Sequence, residues 1–225
     1  MKKEKFLIKP EDVEKFQTLY EILRYAKEHY PTEIAYRQIE NRHEESEITF
    51  ERFAKNVDSL RAALIALGLK GKHFAVCGEA SIEWLTVYLA VTAGVGVCVP
   101  IDKELPPETM AKQLEFADVD FAFCSAKSAK KFQKALLLCA KIKTVAVMRS
   151  DDTALFDFGG EVITLSALIA DGNDRLNSSG GSLILPQIDP GKTSVIIYTS
   201  GTTGANKGVA LSNRNVMGTL RGCAR

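Results

Sequence analysis

The sequence predicts an α/β fold: a doubly wound, mainly parallel sheet with helices on both faces, followed by a β-hairpin that bears a glycine- and hydroxyl-rich loop. Three observations predict it. Short runs such as FAVC, VGVCV, VDFAFC and KTVAVM are almost continuously apolar, as strands buried on both faces must be. Between them lie segments with apolar residues at helical spacing. The composition, 46% hydrophobic and 25% charged over 225 residues, supports a large buried core and excludes disorder, collagen and low-complexity repeats.

From Glu11 to His29, apolar residues at Val13, Phe16, Leu19, Tyr20, Leu23 and Ala26 have helical spacing, which Pro31 ends. Glu33 to Glu40 reads as extended, and the polar run Asn41 to Glu47 as a solvated hairpin loop. Thr49 caps a helix whose core face is Phe53, Val57, Leu60, Leu64 and Leu67, and Gly68 supplies its left-handed stop. Strand and helix then alternate. Phe74 to Cys77 is a strand, followed by a helix capped by Ser81 that runs to about Thr92. Val95 to Val99 is a strand, and Pro107 opens a helix to Ala117. Val119 to Cys124, Ala126 to Cys139 and Lys143 to Met148 read as strand, helix and strand, with Glu161 to Leu165 as an edge strand. Such alternation implies right-handed crossovers. Residues 1–170 are therefore expected to form an α/β subdomain. Residues 171–182, DGNDRLNSSGGS, read as a linker. Residues 183–225 are expected to hold a strand, a loop, a second strand from Gly208 to Leu211, and the start of a helix near Ser212.

Charge and cysteine usage exclude several classes. Twenty-nine Lys and Arg against 28 Asp and Glu leave a net charge of +1, so the basic excess of a nucleic-acid binder is missing. The five cysteines are scattered, with no C-x-x-C pair, and read as reduced, mostly buried thiols of a cytoplasmic protein. His29, His43 and His73 have no partners at metal-ligand spacing, so no structural metal site is expected. The uncharged run Trp84 to Ile101 reaches transmembrane length, but Gly94, Gly96 and Pro100 interrupt it. A buried helix, a turn and a strand explain it better than a membrane span.

The residues that carry chemistry are Thr199, Ser200, Gly201, Thr202, Thr203 and Gly204, with Lys207 just beyond. A loop that folds over phosphate oxygens needs inward-pointing backbone N–H groups, glycines that allow close approach, small hydroxyl donors and a nearby cation. It is not a Walker A motif, because Lys207-Gly208 reverses the required order. Nor does Gly94-Val95-Gly96 make a dinucleotide fingerprint, since the third glycine is missing and a strand comes next.

The order TSGTTGANKGV closely resembles the phosphate loop of the adenylate-forming superfamily of AMP-forming acyl ligases. Only Asn206, where proline is usual, departs from that pattern. Upstream, ITFERFAKNVDSLRAALIALGLKGKHFAVCGEASIEWLTVYLAVTAGVGVCVPID is similar to the N-terminal part of that superfamily's large domain. IDKELPPETMAKQLEFADVDFAFCSA is similar to the adjoining segment of long-chain fatty acid–CoA ligases. The resemblance implies that ATP and Mg²⁺ convert a carboxylic acid, fatty in the leading reading, to an acyl-adenylate, which coenzyme A then captures as a thioester. It further implies that Thr199 to Gly204 and Lys207 bind the β- and γ-phosphates. Asn206 lacks the fixed φ of proline. Asn213 stands where histidine is common, Asn215 matches, and Ser212 reads more simply as a helix cap. The superfamily's adenine contacts, magnesium-binding glutamate and catalytic lysine lie beyond Arg225, so no catalytic residue is assigned. The chain is expected to be an N-terminal piece that is inactive alone and whose open apolar surface favours self-association. Two other readings stay open: an adenylation domain that loads an amino or aryl acid onto a carrier protein, and a non-catalytic nucleotide-binding or interaction module.

Overall fold

Among the described residues, seven strands form one sheet in the order β7-β6-β5-β3-β4-β8-β9. The computed structural model describes residues 10–41, 44–178, 184–199 and 207–223. The strands are β3 (His73–Cys77), β4 (Val97–Ile101), β5 (Phe121–Ser125), β6 (Thr144–Met148), β7 (Glu161–Thr164), β8 (Thr193–Thr199) and β9 (Lys207–Ser212). All pairings are parallel except β8 with β9, which is antiparallel. A separate antiparallel pair, β1 (Ile34–Asn41) and β2 (Glu44–Thr49), precedes them.

Strand alternation sorts the core into two layers. Phe74 and Val76 of β3, Phe121 and Phe123 of β5, and Ala146 and Met148 of β6 face one side. They pack against α2 (Phe50–Ala66) through Phe53, Val57 and Leu60, α3 (Ile82–Ala90) through Val87, and α6 (Leu165–Ser178) through Leu168. Ala75, Cys77, Ala122, Cys124, Val145 and Val147 face the other side. There α4 (Pro107–Phe116) contributes Met110 and Leu114, and α5 (Ala129–Leu137) contributes Phe132 and Leu136. Burial on both faces is what forces these strands to be apolar at every position. Four of the five cysteines are buried free thiols and Cys223 is exposed. Burial pushes the Cys98 and Cys124 thiols up, so both stay protonated.

The caps read from sequence form as expected. The Thr49 hydroxyl accepts from the Arg52 N–H at 3.3 Å, the Ser81 hydroxyl accepts from the Trp84 N–H at 3.1 Å, and Gly68 has φ +72°. Beyond shifts of one to three residues at element ends such as those of β5, α5 and β7, four expectations differ. The first helix is broken: residues 10–15 form a 3₁₀ turn, and α1 (Leu19–His29) starts afresh. Thr18 caps it by accepting from the Glu21 N–H at 3.1 Å, while Glu21 accepts from the Gln17 N–H at 2.6 Å. That is a capping arrangement, and it overrides the longer periodicity. β2 begins at Glu44, so the hairpin loop is shorter than the polar run. Residues 91–95 form a π turn with Gly94 at φ +91°, which delays β4 to Val97. The expected linker is helical through Ser178, because α6 lies directly along α2. Gly172 permits that approach: a Cβ on it would sit 1.8 Å from the Ser59 carbonyl oxygen.

No described helix is long and apolar enough to cross a membrane. Replacing Gly172 with Ala should push α6 off α2 and cost about 1–3 kcal/mol in urea unfolding. A loss inside the roughly 0.5 kcal/mol scatter of surface substitutions would contradict the close contact.

Candidate functional site

A parallel sheet brings the C-terminal end of every strand to one edge, where open α/β sheets bind their ligands. Here that edge presents Glu79 just after β3, Lys103 after β4, Ser125 ending β5, Arg149 after β6 and Thr199 ending β8. The chain passes from β3 to β4 on one side and then to β5 on the other, so the crossovers diverge between β3 and β5. A cavity of about 650 Å³ opens at this edge, and Glu79, Trp84, Lys103, Gln113, Tyr198 and Thr199 contribute to its wall.

Of the residues expected to bind phosphate, Thr199 and Lys207 are register partners across the β8–β9 ladder, and both are exposed. The geometry therefore brings the two ends of the loop together at the ligand edge. Ser200, Gly201, Thr202, Thr203 and Gly204 lie outside the described residues.

The base of this hairpin is fastened from below. The Tyr198 hydroxyl donates to the Gln113 carbonyl oxygen of α4 at 2.7 Å, and its ring meets Phe116 edge-on with centroids 6.4 Å apart. Burial raises its pKa, so the phenol keeps the proton it donates. On the far side of β9, Ser212 and Asn215 cap each other at the start of α7 (Asn213–Cys223). The Ser212 hydroxyl accepts from the Asn215 N–H at 3.2 Å, and the Asn215 side chain accepts from the Ser212 N–H at 2.9 Å. Ser212 is thus the helix cap its position suggested. Asn213 is buried and donates from Nδ2 to the Thr92 carbonyl oxygen at 3.0 Å, which ties α7 to the turn after α3.

A second group was not found from sequence. Glu79 accepts from the Ser125 hydroxyl at 2.7 Å and from Arg149 Nη1 at 2.7 Å, while Arg149 Nε lies 3.8 Å from Glu83. Arg149 adopts φ +64°, a conformation that side chains other than glycine rarely take. Burial pushes the Glu79 carboxyl up. The hydrogen bonds from Ser125 and the backbone, with the Arg149 charge, outweigh burial and hold it below 4.5. Nothing local betrays this cluster: its members sit on three segments far apart in sequence, after β3, at the end of β5 and after β6. Among the described residues, no group of three or more His, Cys, Asp or Glu side chains could hold a metal ion.

The AMP-binding enzyme family matches residues 23–225, most of the chain. The chain belongs to the AMP-binding enzyme family. Among its curated relatives, the mouse long-chain-fatty-acid–CoA ligase ACSBG2 is 29% identical over 171 residues, 75% of this chain and 25% of that protein. Nonribosomal peptide synthetase 4 of Gibberella zeae is 27% identical over 173 residues, 76% of this chain and 2% of that protein. Among solved structures, the fatty acyl-adenylate ligase from L. pneumophila, in complex with acyl adenylate and pyrophosphate, superposes with a TM-score of 0.68. It is 18% identical and covers 92% of this chain and 32% of that one; at this identity the likeness concerns the fold. The chain spans about a quarter of the length of the fatty acid–CoA ligase it matches. In this AMP-binding family member the ligand edge of the sheet is thus built from β3 to β9, with the hairpin at one end and the Glu79 group in the middle.

The Glu79 group has a pH signature. The folded protein binds the Glu79 proton more weakly than the unfolded chain, so its stabilisation is complete above pH 4.5 and fades as pH falls through the lowered value. Replacing Arg149 with Met should cost about 1.5–3 kcal/mol at pH 7 in urea unfolding, the usual worth of a hydrogen bond to a charged group. That deficit should shrink towards pH 3. An equal deficit at both pH values would remove the ion pair as its source.

Proposed function

We propose that this chain is the phosphate-binding, N-terminal part of an ATP-dependent acyl-CoA ligase. The observation that carries the reading is the pairing of Thr199 with Lys207 at the C-terminal edge of a parallel sheet, with the glycine-hydroxyl residues between them. The family match and the similarity to a long-chain-fatty-acid–CoA ligase support it. The acid's carboxylate attacks the α-phosphorus of ATP, the bond to the β-phosphate breaks, and acyl-adenylate and pyrophosphate result. The thiol of coenzyme A then attacks the acyl carbon, loses its proton, and releases AMP as the thioester forms.

This chain's residues act on the leaving group. Backbone N–H groups from Thr199 to Gly204 and the hydroxyls of Thr199, Ser200, Thr202 and Thr203 surround the β- and γ-phosphate oxygens. Gly201 and Gly204 let the backbone come close. Lys207 adds a point charge that offsets the negative charge growing on pyrophosphate as its bond to the α-phosphate breaks. The nucleotide enters as its magnesium complex, and the described residues add no metal-binding cluster of their own. The buried free thiols support a cytoplasmic setting. β9 ends the sheet with Val209 exposed, and Ile197 of β8 is exposed beside it; this supports self-association of the chain when isolated.

Similarity to a nonribosomal peptide synthetase favours one second reading, in which the acyl group passes to a carrier protein instead of coenzyme A. Pyrophosphate exchange with a panel of fatty, aryl and amino acids on the intact protein separates the two by substrate. In the same assay, Lys207→Ala should slow exchange by roughly 10²–10³, the usual effect of losing one group that stabilises transition-state charge. An unchanged rate would take Lys207 out of the proposed role.

A further inference from the structure

Between Asp120 and Asp151 the sequence contains no carboxylate, yet it carries six lysines and Arg149 in a chain whose net charge is only +1. The structure arranges part of this excess as a stripe. Lys127, Lys130, Lys134, Leu137, Leu138 and Lys141 succeed one another at mostly three- and four-residue steps along α5 and its two flanks, and all six are exposed. The opposite face, Ala129, Phe132, Ala135 and Leu136, is buried against the sheet. Leu137 and Leu138 are 61% and 62% exposed, side by side at the end of the helix.

The carboxylates that approach this surface from neighbouring elements engage Lys131, outside the stripe, and Lys141 at its far end, which leaves the charge of the stripe on Lys127, Lys130 and Lys134. Glu104 lies 3.8 Å from Lys131, and Asp118 and Asp120 lie 2.6 and 3.1 Å from Lys141. Lys127, Lys130 and Lys134 make no ion pair among the described residues. A solvated helix usually mixes the two signs of charge and hides its leucines. Here three lysines without ion pairs lead to two exposed leucines on the same outer face, which offers an anionic bilayer both a cluster of positive charge and apolar side chains. Lysine stems reach past apolar groups to headgroups, so the two leucines and the charges can engage together. Nucleic acid fits less well: it gives the leucines nothing to enter, and the near-neutral chain gives no general attraction.

We propose that the outer face of α5 docks peripherally on a membrane surface rich in anionic lipid, with Leu137 and Leu138 entering the headgroup boundary. This surface is separate from the phosphate loop, so docking stands or falls independently of the ligase reading. If both hold, docking brings the protein to where long-chain acids dissolve.

The test is co-sedimentation of the intact protein with vesicles of phosphatidylcholine alone and of phosphatidylcholine with about one third phosphatidylserine. Binding to the mixed vesicles and not to the neutral ones is expected, with loss as salt rises from about 0.05 M to about 0.5 M. Each lysine near such a surface contributes about fivefold, so the triple variant K127Q/K130Q/K134Q should bind about 100-fold more weakly. The pair L137S/L138S should lose about tenfold. These positions are exposed, and unchanged thermal melts of both variants verify folding; the salt titration of the unaltered protein needs no variant. No binding to the mixed vesicles at low salt would overturn the proposal. So would equal binding to neutral vesicles, unchanged binding by both variants, or retention of poly(U) RNA without retention of lipid.

Discussion

Everything at the candidate site depends on one constraint: parallel strands buried on both faces must all end at the same edge. Once β3, β4, β5 and β6 pack between two helical layers, their C-terminal connections converge on one rim. β8 joins that rim by pairing with β4 at Cys98 and Val195, then reverses into β9. The reversal matters. A further crossover would have taken the chain away over a helix, whereas the antiparallel return keeps Thr199 and Lys207 opposite each other.

The rim is braced on both sides of the hairpin. Tyr198 fastens β8 to α4, and Asn213 fastens the start of α7 to the turn after α3. Farther along, Glu79, Ser125 and Arg149 bind three strand ends to one another. Rigid elements beneath a binding loop reduce the ordering cost that a ligand must meet, and these contacts hold β8 and the start of α7 on either side of the proposed loop. Asn213 illustrates this. At a position where the adenylate-forming superfamily commonly has histidine, this chain uses a buried amide to hold the helix in place.

Much of this was legible in the sequence because local and global preferences agreed. Thr49, Ser81, Gly68 and Pro107 each punctuate a helix by a mechanism that needs only nearby atoms. Where they disagreed, packing won. Asp171 to Ser178 has the composition of a linker, yet it continues α6 because Gly172 lets that helix lie against Ser59 of α2. At the other end, a helical apolar period hid the break at Thr18, although the Thr18–Glu21 spacing of a capping arrangement was there to be read. The proposed phosphate loop stands out in the sequence as an uninterrupted run of glycine and hydroxyl residues, of which the structure describes Thr199 at its start. The Glu79 group does not, because Arg149 lies 70 residues from Glu79 and only the sheet order brings them together.

The central claim is that the residues between β8 and β9 close on the terminal phosphates of a nucleotide. Hydrogen–deuterium exchange of the peptide covering residues 199–207 in the intact protein, with and without magnesium ATP, tests it most directly. These amides are expected to exchange about tenfold more slowly when nucleotide is bound. Exchange that stays the same at saturating nucleotide, with protection appearing elsewhere in the protein, would contradict it.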